Sequence, residues 1–228
     1  MKLKKFKFKV VNSTNDIAIR LIRNTNNKFG IIIADKQKKG RGQHGKKWIS
    51  NKGNLFVSIF FSLEKINMSL QQLTKVNCFL IKKILSRHYK KKISIKSPND
   101  LLVNKKKICG ILQETLKKAN TTYFITGVGI NLIKSPNIKN YPTTNLLELT
   151  KTTVSKKKIT SELKSIYEEF IDQFSKLMIK HSLLSVTPKD IFGNFLRFTY
   201  IENPGLAFGV SVGSFGWLLF IVTVLITF

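Results

Sequence analysis

Two short polar loops contain the residues best suited to chemistry. The first loop, residues 39–48, has the sequence KGRGQHGKKW, and the second, residues 96–102, has the sequence KSPNDLL. Glycines in the first loop allow tight turns and a close approach of the backbone to a ligand, and the cations between them can pair with phosphate or carboxylate. Each loop is followed by a strand-like apolar run. The pattern predicts an anion-binding site on loops between strands.

The segments around these loops alternate between strand and helix patterns. Residues 4–10 alternate with a period of two, and residues 69–88 carry apolar side chains at helical spacing. Hairpin turns are predicted at 104–106 and 117–120, and a long helix closes the region at 159–178. Further strands are predicted at 29–34, 54–61, 93–95, 108–115 and 123–127, and a helix start at 13–16. Hairpins beside long helices indicate an α+β domain, a mixed β-sheet flanked by helices.

The charge of the chain is strongly positive. With 40 Lys and Arg against 12 Asp and Glu, the formal net charge is +28, a balance that often accompanies nucleic-acid or membrane binding. The excess is nearly all lysine and is spread through loops and polar faces, as an AT-rich coding sequence also produces. We therefore expect no specific nucleic-acid surface.

Cysteine and histidine usage bears on the compartment and on metals. Cys78 and Cys109 each lie in an apolar stretch, which favours buried thiols in a reducing, cytoplasmic setting over a disulfide. The three histidines lack metal-ligand spacing, so no metal-binding residues are predicted. The first nine residues alternate lysine with apolar residues, and this strand-like pattern indicates no secretory signal.

Five motifs, in order, resemble those of biotin protein ligases. They are STN at 13–15, GRGQHGKKW at 40–48, KSPNDL at 96–101, KICGILQE at 107–114 and GVGIN at 127–131. The resemblance covers about residues 10–182 and implies the mixed sheet that this family shares with class II aminoacyl-tRNA synthetases and lipoyl ligases. Gln43 stands where the family usually has Arg, which bears on adenylate retention, and Ser97 stands where Trp is usual, which weakens local packing.

The resemblance implies ATP-dependent ligation. Biotin and ATP, with Mg²⁺, would form biotinyl-5′-adenylate, and biotin would pass to a lysine of a biotin carboxyl carrier domain. The implied catalytic residues are Lys107, Asp100 and Arg41. The implied biotin-binding residues are Ser13, Thr14, Asn15, Gln37, Gly40, Arg41 and Lys107. The implied ATP and adenylate contacts are Arg41, Gln43, His44, Trp48, Asn99 and Asn131.

The C-terminal part of the chain has a different character. Residues 193–209 resemble the N-x-G-x-A-F segment of lipoprotein signal peptidases, and residues 206–228 form an uncharged apolar run long enough for a transmembrane helix. No Asp follows Asp190, so the two catalytic aspartates of those peptidases are not expected here. We predict a ligase-like domain at 1–184 and a signal-peptidase-II-like fragment at 185–228, joined by a recent or artefactual junction.

Two alternatives to an active biotin ligase remain open. The chain could be an impaired chimera, because the family's C-terminal β-barrel is not recognisable, or a membrane-attached protein that only binds biotin or adenylate, because of its apolar tail. No helix-turn-helix is recognisable before Ser13, so the transcriptional-repressor form of these ligases is not expected. It could also be a related lipoyl or octanoyl ligase, although the motif at 96–101 and the loop ending in Trp48 argue against that. Localisation is expected to be cytoplasmic, with membrane contact through residues 206–228.

Overall fold

The predicted alternation of strands and helices is present in the computed structural model, which describes residues 1–64, 68–139, 141–184, 190–192 and 196–197. The strands are β1 Lys4–Val11, β2 Phe29–Gln37, β3 Leu55–Ser62, β4 Ser94–Lys96, β5 Asp100–Val103, β6 Lys106–Lys118, β7 Thr121–Ile130, β8 Asp190–Phe192 and β9 Leu196–Arg197. The helices are α1 Thr14–Asn24, α2 Leu70–His88, α3 Leu146–Thr150 and α4 Lys156–Leu184.

Seven strands form one sheet in the order β1-β2-β3-β7-β6-β5-β4. Strand β1 runs parallel to β2, and the other neighbouring pairs are antiparallel. The prediction of a mixed sheet is therefore confirmed. Strand β3 lies near the centre and is buried along its whole length, which requires cover on both faces of the sheet.

Different helices cover the two faces. Ile125 of β7 belongs to an apolar cluster with Ala18 and Ile22 of α1. The next residue, Thr126, points to the opposite face, where it donates a hydrogen bond to Asn77 Oδ1 of α2 at 3.1 Å. Tyr167 of α4 donates to the same oxygen. Helix α1 therefore covers one face, and α2 and α4 cover the other.

The helix ends and hairpin turns follow from local chemistry. Ser69 and Gln72 form a capping box that starts α2. The Lys118 ammonium donates to Ile22 O and Thr25 O, at 2.9 and 2.7 Å, and so caps the C-terminal end of α1. The β5–β6 turn places Asn104 and Lys105 at positive φ, as the predicted turn at 104–106 requires.

The chain divides into two compact units, Met1–Met178 and Ile179–Phe228. In the second unit the described strands β8 and β9 pair antiparallel. The domain boundary predicted between residues 184 and 185 falls at the edge of residues 185–189, which lie outside the described residues. The apolar helix predicted at 206–228 lies outside them as well. Among the residues that are described, no helix is long and apolar enough to cross a membrane.

Candidate functional site

A cavity of about 840 Å³ opens on the α1 side of the sheet, beyond the N-terminus of α1. Its wall combines the start of α1, the second loop at 96–100 and the facing residues of β6 and β7. It also includes residues between 41 and 49, which belong to or directly follow the first loop, called the glycine loop below. Every predicted site residue lines the cavity except Gly40, which is buried beside it and accepts a hydrogen bond from the Trp48 backbone at 2.9 Å. Residues far apart in sequence thus converge on one cavity.

Lys107, Asp100 and Tyr141 form a charged cluster in the cavity wall, called the buried cluster below, in which Asp100 is buried and the other two side chains are partly buried. The Lys107 ammonium lies 2.7 Å from Asp100 Oδ1, with side chains only 17% and 13% exposed. The Tyr141 hydroxyl donates to Asp100 Oδ2 at 2.6 Å. Burial, and then the hydrogen bond and negative charge of Asp100, raise the pKa of Tyr141 above its ordinary value. The phenol therefore stays protonated and continues to hold the carboxylate.

Backbone pairing explains how this buried cluster is assembled. Strand β5 pairs with β6 so that Asp100 lies opposite Gly110, and a register shift follows Leu101. The Lys107 backbone donates to Pro142 O and accepts from Thr144 N, both at 2.9 Å. Those two bonds hold the segment after β7 against the start of β6. Tyr141, next to Pro142, thereby reaches the Asp100 carboxylate.

The start of α1 forms a polar end of the cavity. The backbone and hydroxyl of Thr14 both donate to Gln37 Oε1, at 2.8 and 3.0 Å. Ser58 donates to Asn15 Oδ1 at 2.5 Å. Ser13, Thr14 and Asn15 are all buried, and these hydrogen bonds fix the side chains of Thr14 and Asn15. This end can hydrogen-bond a polar group of a ligand inside an otherwise apolar space.

Arg41 belongs to a second, exposed charged cluster with Glu114 and Asp16. Its two terminal nitrogens lie 2.8 Å from the two Glu114 oxygens, and one of them also lies 2.8 Å from Asp16 Oδ1. The three side chains are 39%, 25% and 45% exposed, in that order. Burial lowers the pKa of Arg41, but Glu114 and Asp16 more than offset this and raise the pKa above its ordinary value.

Trp48 lies across two glycines in the floor of the cavity. Gly110 of β6 and Gly129 of β7 are paired across the sheet, and a Cβ added at either would collide with the indole ring. The Lys107 ammonium lies 5.3 Å from the ring centroid, a cation–π distance. The bare backbone of the two glycines is what allows the indole to pack flat over the strands and beside Lys107.

Asn99 and Asn131, which were predicted to contact the nucleotide, have side chains that donate hydrogen bonds to the protein backbone. Asn99 Nδ2 donates to Ile111 O at 2.7 Å. Asn131 is buried, and its Nδ2 donates to Thr144 O at 3.1 Å. Gln43 and His44 lie on the single turn of the glycine loop, where His44 adopts positive φ. Contact of these four residues with a nucleotide stays a prediction.

Three residues of these clusters were not among the predicted site residues. Glu114 closes the fourth motif, but the sequence gives no sign that its partner is Arg41, which is 73 residues away. Asp16 has the appearance of an ordinary acidic residue in the first turn of a helix. Tyr141 follows the last motif, and no spacing connects it to Asp100. Tertiary structure places Tyr141 in the cavity wall, and Glu114 and Asp16 beside the cavity, where both contact Arg41.

The family of the chain follows from comparison with known proteins. Residues 7–131 match the model of the biotin/lipoate A/B protein ligase family. This match spans more than half of the chain, and the chain therefore belongs to that family. Residues 167–228 match the model of signal peptidase (SPase) II.

Individual relatives agree with both matches. The bifunctional ligase/repressor BirA of Escherichia coli is 35% identical over 126 residues, which cover 54% of this chain and 39% of that protein. The biotin protein ligase of Aquifex aeolicus, solved in complex with biotin and ATP, is 28% identical with a TM-score of 0.65, covering 76% of this chain and 72% of that one. The lipoprotein signal peptidase of Clostridioides difficile is 37% identical over 57 residues, covering 25% of this chain and 38% of that protein. The ligase match thus spans about two fifths of the length of its curated relative.

Proposed function

We propose that this member of the biotin/lipoate A/B protein ligase family is a biotin protein ligase. It would form biotinyl-5′-adenylate from biotin and ATP and transfer biotin to a lysine of a biotin carboxyl carrier domain. The observation that carries the proposal is the cavity itself, in which a buried Lys107–Asp100 pair and the polar end around Thr14 and Gln37 share one space. The related Aquifex aeolicus enzyme, solved with biotin and ATP, supports the choice of ligands.

In the first step, a biotin carboxylate oxygen attacks the α-phosphorus of ATP and pyrophosphate leaves. Both reactants are anions, so the site must supply fixed positive charge where negative charge accumulates. Lys107 supplies it, because its ammonium lies in the cavity wall and is only 17% exposed. Thr14, Asn15 and Gln37 would hold the polar ring of biotin at the opposite end.

In the second step, the amine of the carrier lysine attacks the biotinyl carbonyl, and AMP leaves with the electrons of the broken C–O bond. The attacking nitrogen loses a proton to solvent as the tetrahedral intermediate collapses, and Asp100, a carboxylate in the cavity wall, would orient the amine. Trp48 covers the floor beside Lys107 and restricts the entry of water. Exclusion of water matters because the mixed anhydride hydrolyses readily.

Magnesium is part of the proposal through the nucleotide. The described residues contain no group of three His, Cys, Asp or Glu side chains that could hold a metal ion. Mg²⁺ commonly uses few protein ligands and is held mainly by substrate phosphates. The residues present fit a metal that arrives with ATP, where it would offset charge on the pyrophosphate.

Partner and location follow from the same proposal. The acceptor would be the carrier domain of a biotin-dependent carboxylase such as acetyl-CoA carboxylase, which fits a cytoplasmic ligase. Membrane contact through residues 206–228 stays a sequence prediction, because those residues lie outside the described structure.

The test is biotin-dependent exchange of radiolabelled pyrophosphate into ATP by the full chain, kept in mild detergent, followed by transfer to a purified carrier domain. We expect exchange with biotin and avidin-detectable labelling of the carrier. Exchange with lipoate or octanoate but not with biotin would indicate a lipoyl-type ligase. Biotin binding without exchange would indicate a binding module, and either result would overturn the proposal.

A further inference from the structure

The exposed charged cluster joins three separate elements around the glycine loop. Arg41 comes from the loop, Asp16 from the first turn of α1, and Glu114 from β6. The Arg41–Glu114 pair is bidentate, with both N–O distances at 2.8 Å. Such fork-to-fork pairs fix the orientation of both side chains as well as their distance. The loop is therefore fastened to the sheet and to the helix by one guanidinium.

Glu114 also reaches the polar end of the cavity. Its Oε2 accepts a hydrogen bond from Asn15 Nδ2 at 2.6 Å, besides the bond from Arg41. Asn15 is in turn held by Ser58. A single carboxylate thus connects the glycine loop to a residue at the end of the cavity assigned to the biotin ring.

This arrangement is unfavourable for direct phosphate binding by Arg41. Both terminal nitrogens of the guanidinium already donate to Glu114, and one also faces Asp16. Two carboxylates accompany one cation, so the cluster carries a net charge of about −1, which repels a phosphate. An incoming phosphate would have to displace Glu114. Lys46, Lys47 and Lys107 line the same cavity and can meet the nucleotide instead.

We propose that Glu114 is a positioning residue that, with Asp16, uses Arg41 to hold the glycine loop and Asn15 in the geometry that binds biotin. Arg41 then acts as a fastener of the loop, in place of the phosphate contact expected from the sequence. The inference rests on the proposed function for its ligand. The contacts that carry it belong to the protein alone.

The test is a double-mutant cycle with Glu114→Gln, Arg41→Gln and the two combined. Each single variant should weaken biotin binding by about tenfold, the order expected for loss of a charge-assisted hydrogen bond. The KM for ATP in pyrophosphate exchange should change by less than about twofold. The double variant should be no worse than Glu114→Gln alone, because both substitutions break the same connection between Arg41 and Glu114. Asp16→Asn should give a smaller loss of the same kind.

A measurement without ligand tests whether Arg41 and Glu114 hold the glycine loop in place, and its result does not depend on the proposed ligase function. Endoproteinase Lys-C should cleave after Lys46 and Lys47 faster in Glu114→Gln and Arg41→Gln than in the wild type. Lys28→Gln is the matched control, since it removes a cation from an exposed ion pair with Glu64 outside the cavity. Wild-type exchange activity reports on the ligase proposal alone.

Three outcomes would overturn the inference. One is a raised KM for ATP in Arg41→Gln with unchanged biotin binding, since that is the behaviour of a phosphate ligand. Another is additive losses in the double variant, since independent residues add. The third is loop cleavage in Glu114→Gln at the rate of the Lys28→Gln control.

Discussion

The two charged clusters, one in the cavity wall and one at its edge, differ chiefly in their exposure to water. Asp100 and Lys107 in the buried cluster are 13% and 17% exposed, whereas Arg41 and Asp16 in the exposed cluster are 39% and 45% exposed. An ion pair near water is screened and adds little to the stability of the protein, whereas removing one partner of a buried pair strongly destabilises the protein. An ion pair between a cation and a carboxylate can therefore have a different role in each cluster. The buried cluster can act on developing charge, and the exposed cluster can fix a loop.

The largest effect should come from removing the buried cation. We expect Lys107→Ala to lower the rate of adenylate formation by about 10²- to 10³-fold, because the ammonium acts on charge that develops in the transition state. Biotin binding should fall far less. The rate of pyrophosphate exchange and the dissociation constant for biotin measure the two effects.

Lys105→Ala is the matched control, since Lys105 lies two residues away in the exposed β5–β6 turn. It should retain nearly full exchange activity. If Lys105→Ala were instead the damaging change, the assignment of the buried cation would be wrong, and with it the contrast between the clusters.

The next effect concerns the floor beneath Trp48. Gly129→Ala should displace the indole, because the added methyl group would overlap the ring, and should lower adenylate formation by about tenfold through loss of alignment and water exclusion. Single-turnover adenylate formation measures it. In a Trp48→Ala background the same glycine substitution should cost almost nothing. A full additional loss there would mean that Gly129 acts independently of the indole.

An effect of similar size, on the second step alone, is expected at Tyr141. Tyr141→Phe removes the hydroxyl that donates to Asp100 Oδ2 at 2.6 Å and leaves the ring beside Lys107. Loss of one hydrogen bond to a charged group corresponds to about tenfold or somewhat more in rate. We expect the loss in the transfer of biotin to the carrier, and rapid-quench kinetics would measure it. An unchanged transfer rate would show that the Lys107 ion pair alone orients Asp100.

The smallest effect is on stability at alkaline pH. Burial, and then the negative charge of Asp100, raise the pKa of Cys78 from about 9 to about 11. Below pH 9 the thiol is protonated in the folded and unfolded states, so stability is fully present. Above pH 9 the unfolded state releases the proton first, and stability falls as pH rises towards 11. Urea denaturation should show a shallower decline for Cys78→Ala. If stability declined equally in the wild type and in Cys78→Ala, the alkaline sensitivity would belong to groups other than Cys78.

Sequence patterns predicted the scaffold well, because the signals for strands and helices are local. The capping residues Ser69 and Gln72 mark the start of α2, and the turn at 104–106 separates two strands that pair as expected. Helix α3 was not predicted, since its five residues are too few to show a helical period. The predicted assignment of Arg41 to phosphate did not anticipate its partners. Those partners lie 25 and 73 residues away and are brought in by folding.

The sequence by itself determined the family and the mixed sheet with its helices, because motif order and hydrophobic periodicity are properties of the chain alone. It also predicted many of the motif residues that line the cavity. Only the tertiary structure decided which charged side chains pair with one another. It pairs Lys107 with Asp100 behind Tyr141, and Arg41 with Glu114 near the start of α1. The physical reason is that an ion pair depends on distance and exposure. Both are set by strand register and helix packing across many residues of separation.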